Sequence, residues 1–292
     1  MSTTQRPGGT LELAGHEIAR LGYGAMQLEK VDRAAATAVL RRAVELGVNH
    51  LDTASFYGDA VVNEHIRAAL APYSDDLVIV SKVGARRVDA PVPLALAQRP
   101  HELRAQVHRD LTTLGLDQIA VVNLRRADQG PGLIASGEDV VPIDDQLAEL
   151  SALRDEGLIG AIGLSNVSTA QIEHALPVGL ACVQNAYGLL DRTHEDALAL
   201  CADHGIAWVP YFPLGSAFSQ YPSPTDHPVV QGLAAEHATT PAALTLAWLL
   251  AHNPCVAPIP GTRSLVHLEE NLAAAAVSLT PEDLKELDAL TT

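Results

Sequence analysis

A single TIM-type (β/α)8 barrel is the fold that these 292 residues predict. Three observations lead there. Eight short apolar, β-branched runs are spaced along the chain, separated by longer stretches with helical periodicity. The runs are apolar on both faces, as parallel strands covered by helices require. The composition does not break between them, and a closed barrel takes roughly 250 residues as one domain, so residues 1–292 are expected to form one domain.

A turn at Gly15 within residues 10–21 predicts a β-hairpin ahead of the barrel, placed to plug its bottom. Strands are predicted over 21–28, 48–54, 77–83, 119–124, 160–165, 181–185, 206–212 and 256–260, and helices over 33–46, 61–70, 100–114, 144–156, 169–175, 195–204 and 241–252. Ser168 and Thr240 stand at N-cap positions, and Gly47, Gly157 and Gly205 each fall just past a helix end. Thr280-Pro281-Glu282-Asp283 opens a C-terminal extra helix with a cap, a proline at its first position and two acids in its first turn. An open doubly wound sheet is disfavoured, because Gly22-Tyr23-Gly24 supplies two of the three glycines of the dinucleotide fingerprint and no acid follows the second strand where it is needed.

Composition excludes several classes. With 19 Lys+Arg against 35 Asp+Glu, the chain carries a formal charge of -16, which repels nucleic acid and anionic membranes. The longest apolar run, about 244–251, is far short of the ~20 residues that span a bilayer. No apolar core of a secretory signal stands in residues 1–20, and the cysteines Cys182, Cys201 and Cys255 form no CxxC, so a cytoplasmic protein with reduced thiols is expected. The histidines form no HExxH, since His101-Glu102-Leu103-Arg104-Ala105 lacks the second one, and no metal is expected. Gly163-Leu164-Ser165-Asn166-Val167 lacks the closing glycine of a nucleophile elbow, which argues against a hydrolase.

In a barrel the active site lies on the loops after the strands. Three of these, 84–99, 127–142 and 215–228, are long and rich in Pro, Gly or Ser, and read as structureless functional loops. Two strand ends carry charges inside apolar runs: Asp52 in His50-Leu51-Asp52-Thr53-Ala54 and Lys82 in Ile79-Val80-Ser81-Lys82. Such charges are costly unless paired, and adjacent strands bring them side by side, with Tyr57 reaching back from the loop. A tyrosine beside an ammonium is a proton donor whose phenolate is stabilised. A purely structural Asp–Lys pair next to an ordinary loop tyrosine is the other reading of the same residues.

Leu51-Asp52-Thr53-Ala54 with Tyr57-Gly58, followed by Lys82, resembles the aldo-keto reductase family. The resemblance runs from about residue 20 to the C-terminus and includes Leu114-Gly115-Leu116-Asp117, Ile162-Gly163-Leu164-Ser165-Asn166, Gln184-Asn185, Tyr211-Phe212-Pro213-Leu214-Gly215, Ile259-Pro260-Gly261-Thr262 and His267-Leu268-Glu269-Glu270-Asn271. It implies a barrel that transfers a hydride from NADPH or NADH to an aldehyde or ketone. It implies Tyr57 as general acid, Lys82 lowering its pKa and Asp52 holding Lys82. It further implies Ser165, Asn166 and Gln184 on the nicotinamide carboxamide, Tyr211 stacked on the ring, and Leu214, Gly215 and Ser216 along the pyrophosphate. The block 261–271 would take the adenosine end through Gly261, Thr262, Arg263, His267, Glu270 and Asn271, with Arg263 suited to a 2′-phosphate and therefore to NADPH rather than NADH.

One departure stands out: Arg125 occupies the position of the family's usual catalytic histidine. Arginine is larger and permanently charged. It can take over the electrostatic task, select an anionic or strongly polar substrate, or spoil turnover, as it would if turned outward into a surface ion pair. Tyr23-Gly24-Ala25-Met26-Gln27, Gly84-Ala85-Arg86-Arg87, Val121-Val122-Asn123-Leu124-Arg125 and Pro260-Gly261-Thr262 together resemble a bacterial branch of the family that reduces pyridoxal to pyridoxine with NADPH. A broad aldehyde and ketone reductase and a slowly turning NADPH-binding redox sensor are the alternatives. A monomer or weak homo-oligomer is expected.

Overall fold

The structure is a computed structural model and describes residues 5–90, 92–130, 132–216 and 221–290. Strands β1 (Thr10–Leu13) and β2 (His16–Ala19) pair antiparallel around the left-handed residues Ala14 and Gly15. The chain continues through β3 (Tyr23–Gly24), α1 (Arg33–Glu45), β4 (His50–Asp52), α2 (Val61–Leu70), β5 (Val78–Val83), the strands β6 (Ala85–Arg87) and β7 (Leu94–Leu96), α3 (Pro100–Leu114), β8 (Ile119–Arg125) and α4 (Ile143–Asp155). It ends with β9 (Ile159–Ser165), α5 (Thr169–Ala175), β10 (Leu180–Gln184), α6 (Glu195–Asp203), β11 (Ala207–Trp208), α7 (Pro228–Glu236), α8 (Pro241–His252), α9 (Leu265–Ala273) and α10 (Pro281–Asp288).

Seven strands form one parallel sheet in the order β11-β10-β9-β8-β5-β4-β3. Residues 256–260 close it into the barrel. Trp208 N–H donates to Cys255 O and Ala257 N–H to Trp208 O on one side, while Gly22 and Gly24 N–H donate to Pro258 O and Pro260 O on the other. This eighth strand is a thin ladder rather than a regular strand, because Pro258 and Pro260 have no N–H to contribute. Gly22 and Gly24 serve the seam: a Cβ on Gly24 would sit 2.7 Å from Ile259 O, and one on Gly22 2.8 Å from His50 Nδ1. Both are therefore accounted for by closure, without any role as a dinucleotide fingerprint.

The hairpin fills the barrel bottom, where Leu13 and Ile18 pack against the inward residues Val78, Val80, Val121, Cys182, Val209 and Ala257. Ser168 and Thr240 cap α5 and α8 as expected, Thr280 caps α10, and Gly47, Gly157 and Gly205 are left-handed.

The structure corrects the sequence reading at several places. The first strand shrinks to Tyr23–Gly24 and runs on as a 3-10 turn, Ala25–Lys30, and the seventh shrinks to Ala207–Trp208. The loop 84–99 is not structureless, since β6 and β7 pair antiparallel within it, and the other two long loops hold 3-10 turns at Gly137–Asp139 and Pro224–Asp226. Residues 91, 131 and 217–220 of these loops lie outside the described residues. Helices α7 and α9 stand in addition to the predicted helices; Pro228 stands at the first turn of α7, where a missing N–H costs nothing. No helix among the described residues is long and apolar enough to cross a membrane.

Candidate active site

Asp52, at the end of β4, and Lys82, near the end of β5, meet inside the barrel mouth. Lys82 Nζ donates to Asp52 Oδ1 and lies 3.4 Å from Thr53 O. Gln184, at the end of β10, donates from Nε2 to Asp52 Oδ2 at 2.7 Å. All three are buried. The pair therefore satisfies the cost of two charges in an apolar run, with the second carboxylate oxygen also occupied.

Tyr57 completes the group from the loop after β4. Lys82 Nζ lies 5.3 Å from its ring centroid, and Phe56 packs edge-on at 5.1 Å. The turn that carries Tyr57 is closed by Tyr57 N–H to Ala54 O, and the chain then passes through three left-handed residues, Gly58, Asp59 and Ala60. Left-handed backbone at two non-glycines is strain that the surroundings must hold. Glu29 accepts from Gly58 N–H at 3.0 Å, and Arg109 of α3 pairs with Asp59 at 2.6 Å.

Burial raises the Tyr57 pKa above its ordinary value, while the Lys82 charge pulls it down. Burial works against the charged form of Lys82, but Asp52 and Tyr57 outweigh it and leave the ammonium firmly protonated. Arg125 ends β8 opposite Ser165 and is partly buried, with burial lowering its pKa against the opposing influence of Tyr211 and Tyr57. Tyr57 and Tyr211 are thus close enough to act on its charge. The backbone of Gly84 crosses so close that a Cβ there would lie 2.4 Å from Arg125 O. Among the described residues, no group of three or more His, Cys, Asp or Glu is arranged to hold a metal ion.

The residues expected on a nicotinamide cluster on the other side of Asp52. Ser165, Asn166 and Gln184 are buried at the ends of β9 and β10, and Tyr211 OH lies 3.5 Å from Asn166 Oδ1. Asn166 is left-handed, and its amide nitrogen donates to Arg126 O and Gln129 O, so its carboxamide is spent largely on the loop after β8. Gln184 Oε1 is buried and, among the described residues, has no hydrogen-bond partner. A buried acceptor of this kind calls for a donor, and a carboxamide N–H is one.

Gly215 and Ser216 turn on the chain that returns at Tyr221 and Pro222: Ser216 N–H donates to Tyr221 O, and a Cβ on Gly215 would meet Pro222 O at 2.5 Å. Leu214 lies half-buried beside them. Gly261 and Thr262 are tied back to the first strand region, with Tyr23 OH donating to Thr262 O at 2.5 Å and Gln27 Nε2 to Gly261 O at 3.0 Å. Ser264 caps α9 by accepting from His267 N–H. Arg263 and His267 are exposed at that helix start, Glu270 is half-buried and Asn271 buried.

The sequence reading overlooked Asp110, which lies behind this group. Its signal was available: Leu103, Val107, Asp110 and Leu114 share the buried face of α3, and an acid on such a face is an anomaly.

A model of the aldo/keto reductase family matches residues 20–292. Pyridoxine 4-dehydrogenase of Escherichia coli is 43% identical over 289 residues, covering 96% of this chain and 98% of that protein. An uncharacterized oxidoreductase of Schizosaccharomyces pombe is 34% identical, covering 96% and 89%. Among solved structures, a thermostable aldo-keto reductase in complex with epalrestat superposes with a TM-score of 0.79 at 29% identity, covering 96% and 99%. An aldo-keto reductase from Klebsiella pneumoniae in complex with NADPH superposes with a TM-score of 0.80 at 25% identity, covering 96% and 94%. The matches run through every strand that carries the mouth group, and the chain belongs to the aldo/keto reductase family, whose members are oxidoreductases.

Proposed function

We propose that the chain reduces an aldehyde to an alcohol with NADPH, and that pyridoxal is its substrate. The observation that carries the reading is the buried line Gln184–Asp52–Lys82 ending beside Tyr57 at the C-terminal face of the barrel. When bound, the reduced nicotinamide supplies a hydride to the carbonyl carbon. Tyr57 gives its proton to the carbonyl oxygen. Burial keeps that proton in place at neutral pH, and Lys82 stabilises the phenolate once it has gone. Asp52 keeps Lys82 charged and aimed, and Gln184 fixes the second oxygen of Asp52.

The residues fit a nicotinamide cofactor. Gln184 Oε1 offers a buried acceptor to a carboxamide, and Ser165, Asn166 and Tyr211 surround the same place. Arg263 and His267 at the start of α9, with the capping Ser264, offer a cation and backbone N–H groups to a 2′-phosphate, which favours NADPH over NADH. The NADPH complex of the Klebsiella pneumoniae structure supports this choice.

Pyridoxal is supported by the 43% identical pyridoxine 4-dehydrogenase and by Arg125. Pyridoxal carries a phenolic oxygen beside its aldehyde, and a guanidinium at the mouth beside Tyr57 pairs with that phenolate. The test follows NADPH absorbance with pyridoxal, pyridoxal phosphate and plain aldehydes, with NADH as the paired control. A kcat/KM for pyridoxal well above that for benzaldehyde, lost selectively in Arg125→His, is the expected result. Equal losses for both substrates would remove Arg125 from the reading. Even rates across the panel would make the protein a general reductase, and tight NADPH binding without turnover a redox sensor.

A further inference from the structure

Behind the mouth group, between the sheet and α3, lies a second buried carboxylate, one that does not itself touch the groups proposed to move the proton. Asp110 is fully buried. It accepts from Ser81 Oγ at 2.7 Å and from Asn63 Nδ2 at 2.8 Å, and Ser55 is a further hydrogen-bond donor to it. Asn63 in turn accepts from the Thr53 hydroxyl at 2.7 Å and donates to Thr113 Oγ1 at 3.0 Å. Three of the residues gathered here are near neighbours in sequence of the mouth group. Thr53 follows Asp52, Ser55 stands two before Tyr57, and Ser81 precedes Lys82.

Strand geometry explains the placement. Successive side chains of a strand point to opposite faces, so with Lys82 inside the barrel, Ser81 points out to the helix layer. The fold alone does not ask for an acid there: a buried carboxylate among neutral donors is expensive, and an apolar residue of similar volume packs against a sheet without that cost. The expense is visible in Asp110, where burial, offset by its three donors, raises the pKa to about 6.

We propose that Asp110 is a positioning residue for the proton transfer, gripping Thr53 (through Asn63), Ser55 and Ser81 from outside the barrel so that Asp52, Tyr57 and Lys82 meet inside it. The neighbouring Arg109 holds Asp59 just beyond Tyr57, so one turn of α3 braces the Tyr57 loop on both sides. The inference rests on the catalytic assignment proposed above.

The test uses the full chain with NADPH and pyridoxal, comparing Asp110→Ala, Asp110→Asn and Ser81→Ala, with Tyr57→Phe as control. The readouts are kcat, KM, NADPH affinity by fluorescence quenching, the isotope effect from deuterated NADPH, and the melting temperature. Misplacement by a fraction of an ångström slows Asp110→Ala by about 10- to 100-fold in kcat. Its NADPH affinity stays within about twofold, because no residue proposed to bind the cofactor is touched, and the isotope effect rises as the chemical step becomes limiting. Asp110→Asn, which keeps one acceptor, recovers part of the rate. Should Asp110→Ala not fold, Ser81→Ala removes one contact and leaves the carboxylate in place; its kcat falls with NADPH affinity unchanged. An unchanged kcat in folded Asp110→Ala, or in Ser81→Ala, overturns the proposal. So does a loss of kcat, NADPH affinity and melting temperature in step, which is what a merely structural residue would give. If Tyr57→Phe keeps full turnover, the catalytic assignment fails; if Tyr57→Phe is inactive and Asp110→Ala is not, only the positioning role fails.

Discussion

Asp52 and Lys82 allow stability and catalysis to be separated in one double-mutant cycle. Their side chains are only 3% and 6% exposed, and they pair directly. Removing one partner of such a pair strands the other charge in a medium that solvates it poorly, at a cost of about 3–5 kcal/mol. Asp52→Asn leaves the Lys82 ammonium with a neutral acceptor, and Lys82→Met leaves a carboxylate held by Gln184 alone. Each single variant is therefore expected to lose about 3–5 kcal/mol in urea unfolding. The double variant Asp52→Asn/Lys82→Met has no charge left to strand, and Gln184 Nε2 still finds the Asn oxygen. Neutral replacement of a buried pair is often without cost, so the double variant recovers most of the stability lost by either single one. Reductase activity follows the opposite pattern and is lost in all three: Lys82→Met and the double variant remove the cation that stabilises the Tyr57 phenolate, and Asp52→Asn removes the carboxylate that keeps Lys82 aimed at it. A double variant as unstable as the sum of the singles would show that the charges do not compensate each other. A double variant that still reduces pyridoxal at the parent rate would refute the assignment of Lys82.

Other perturbations have equally definite outcomes. Neither ring nitrogen of the buried His50 has a partner among the described residues, and burial lowers its pKa to about 4. The folded state then binds fewer protons than the unfolded one below the ordinary pKa of about 6.5, so stability falls as pH drops from there toward 4, by about 2–3 kcal/mol at pH 4.5. His50→Leu removes that part of the dependence, read as urea midpoints at two pH values; an unchanged slope would place the ring in a wetter setting. Asp110 has the opposite sign: its raised pKa gives stability that is fully present below about 3.9 and lost as pH rises through 6, so Asp110→Asn weakens less on the alkaline side. Gly58 has a φ of 59° and a Cβ there would lie 2.4 Å from Val61 Cγ1, so Gly58→Ala costs about 1–3 kcal/mol in unfolding and lowers kcat by shifting Tyr57. Arg263→Ala raises KM for NADPH about tenfold, the worth of one charge-assisted contact, and leaves KM for NADH unchanged; equal effects on both would take Arg263 away from the 2′-phosphate.

The barrel was legible because its signals are local. Buried parallel strands read as apolar runs, glycines such as Gly47 and Gly157 stop helices, and caps such as Ser168 start them. Boundaries failed where tertiary pairing decides them. The run at 256–260 is apolar enough for a strand, yet two prolines leave it only carbonyls to offer on one edge. The β6–β7 hairpin escaped notice because three residues a side carry too little alternation to be read, and its pairing is fixed by contacts such as Ala97 N–H to Gly84 O. Helix α9 is hidden in the block 261–271, whose polar residues suggest binding more strongly than a helix, although Ser264 and His267 stand at cap spacing.

The candidate site divides along the two faces of the strands, and legibility divides with it. The inward residues Asp52 and Lys82 are charges where an apolar side chain is expected, so each is an anomaly visible in its own strand. The outward residues Thr53, Ser55 and Ser81 are small hydroxyls of a kind found anywhere, and they become meaningful only when Asp110 and Asn63 arrive from α3 and α2. Motif reading finds the first kind, because the chemistry requires a particular residue at a particular place. It misses the second, because holding a strand end asks only for a hydroxyl within reach of a buried acceptor. In a barrel the reacting groups sit at the ends of parallel strands, and alternation hands the residue beside each one to the helix layer. The helices that cover the sheet are thereby placed to tune the chemistry from outside, and Asp110 is where this chain has a charge with no other evident use.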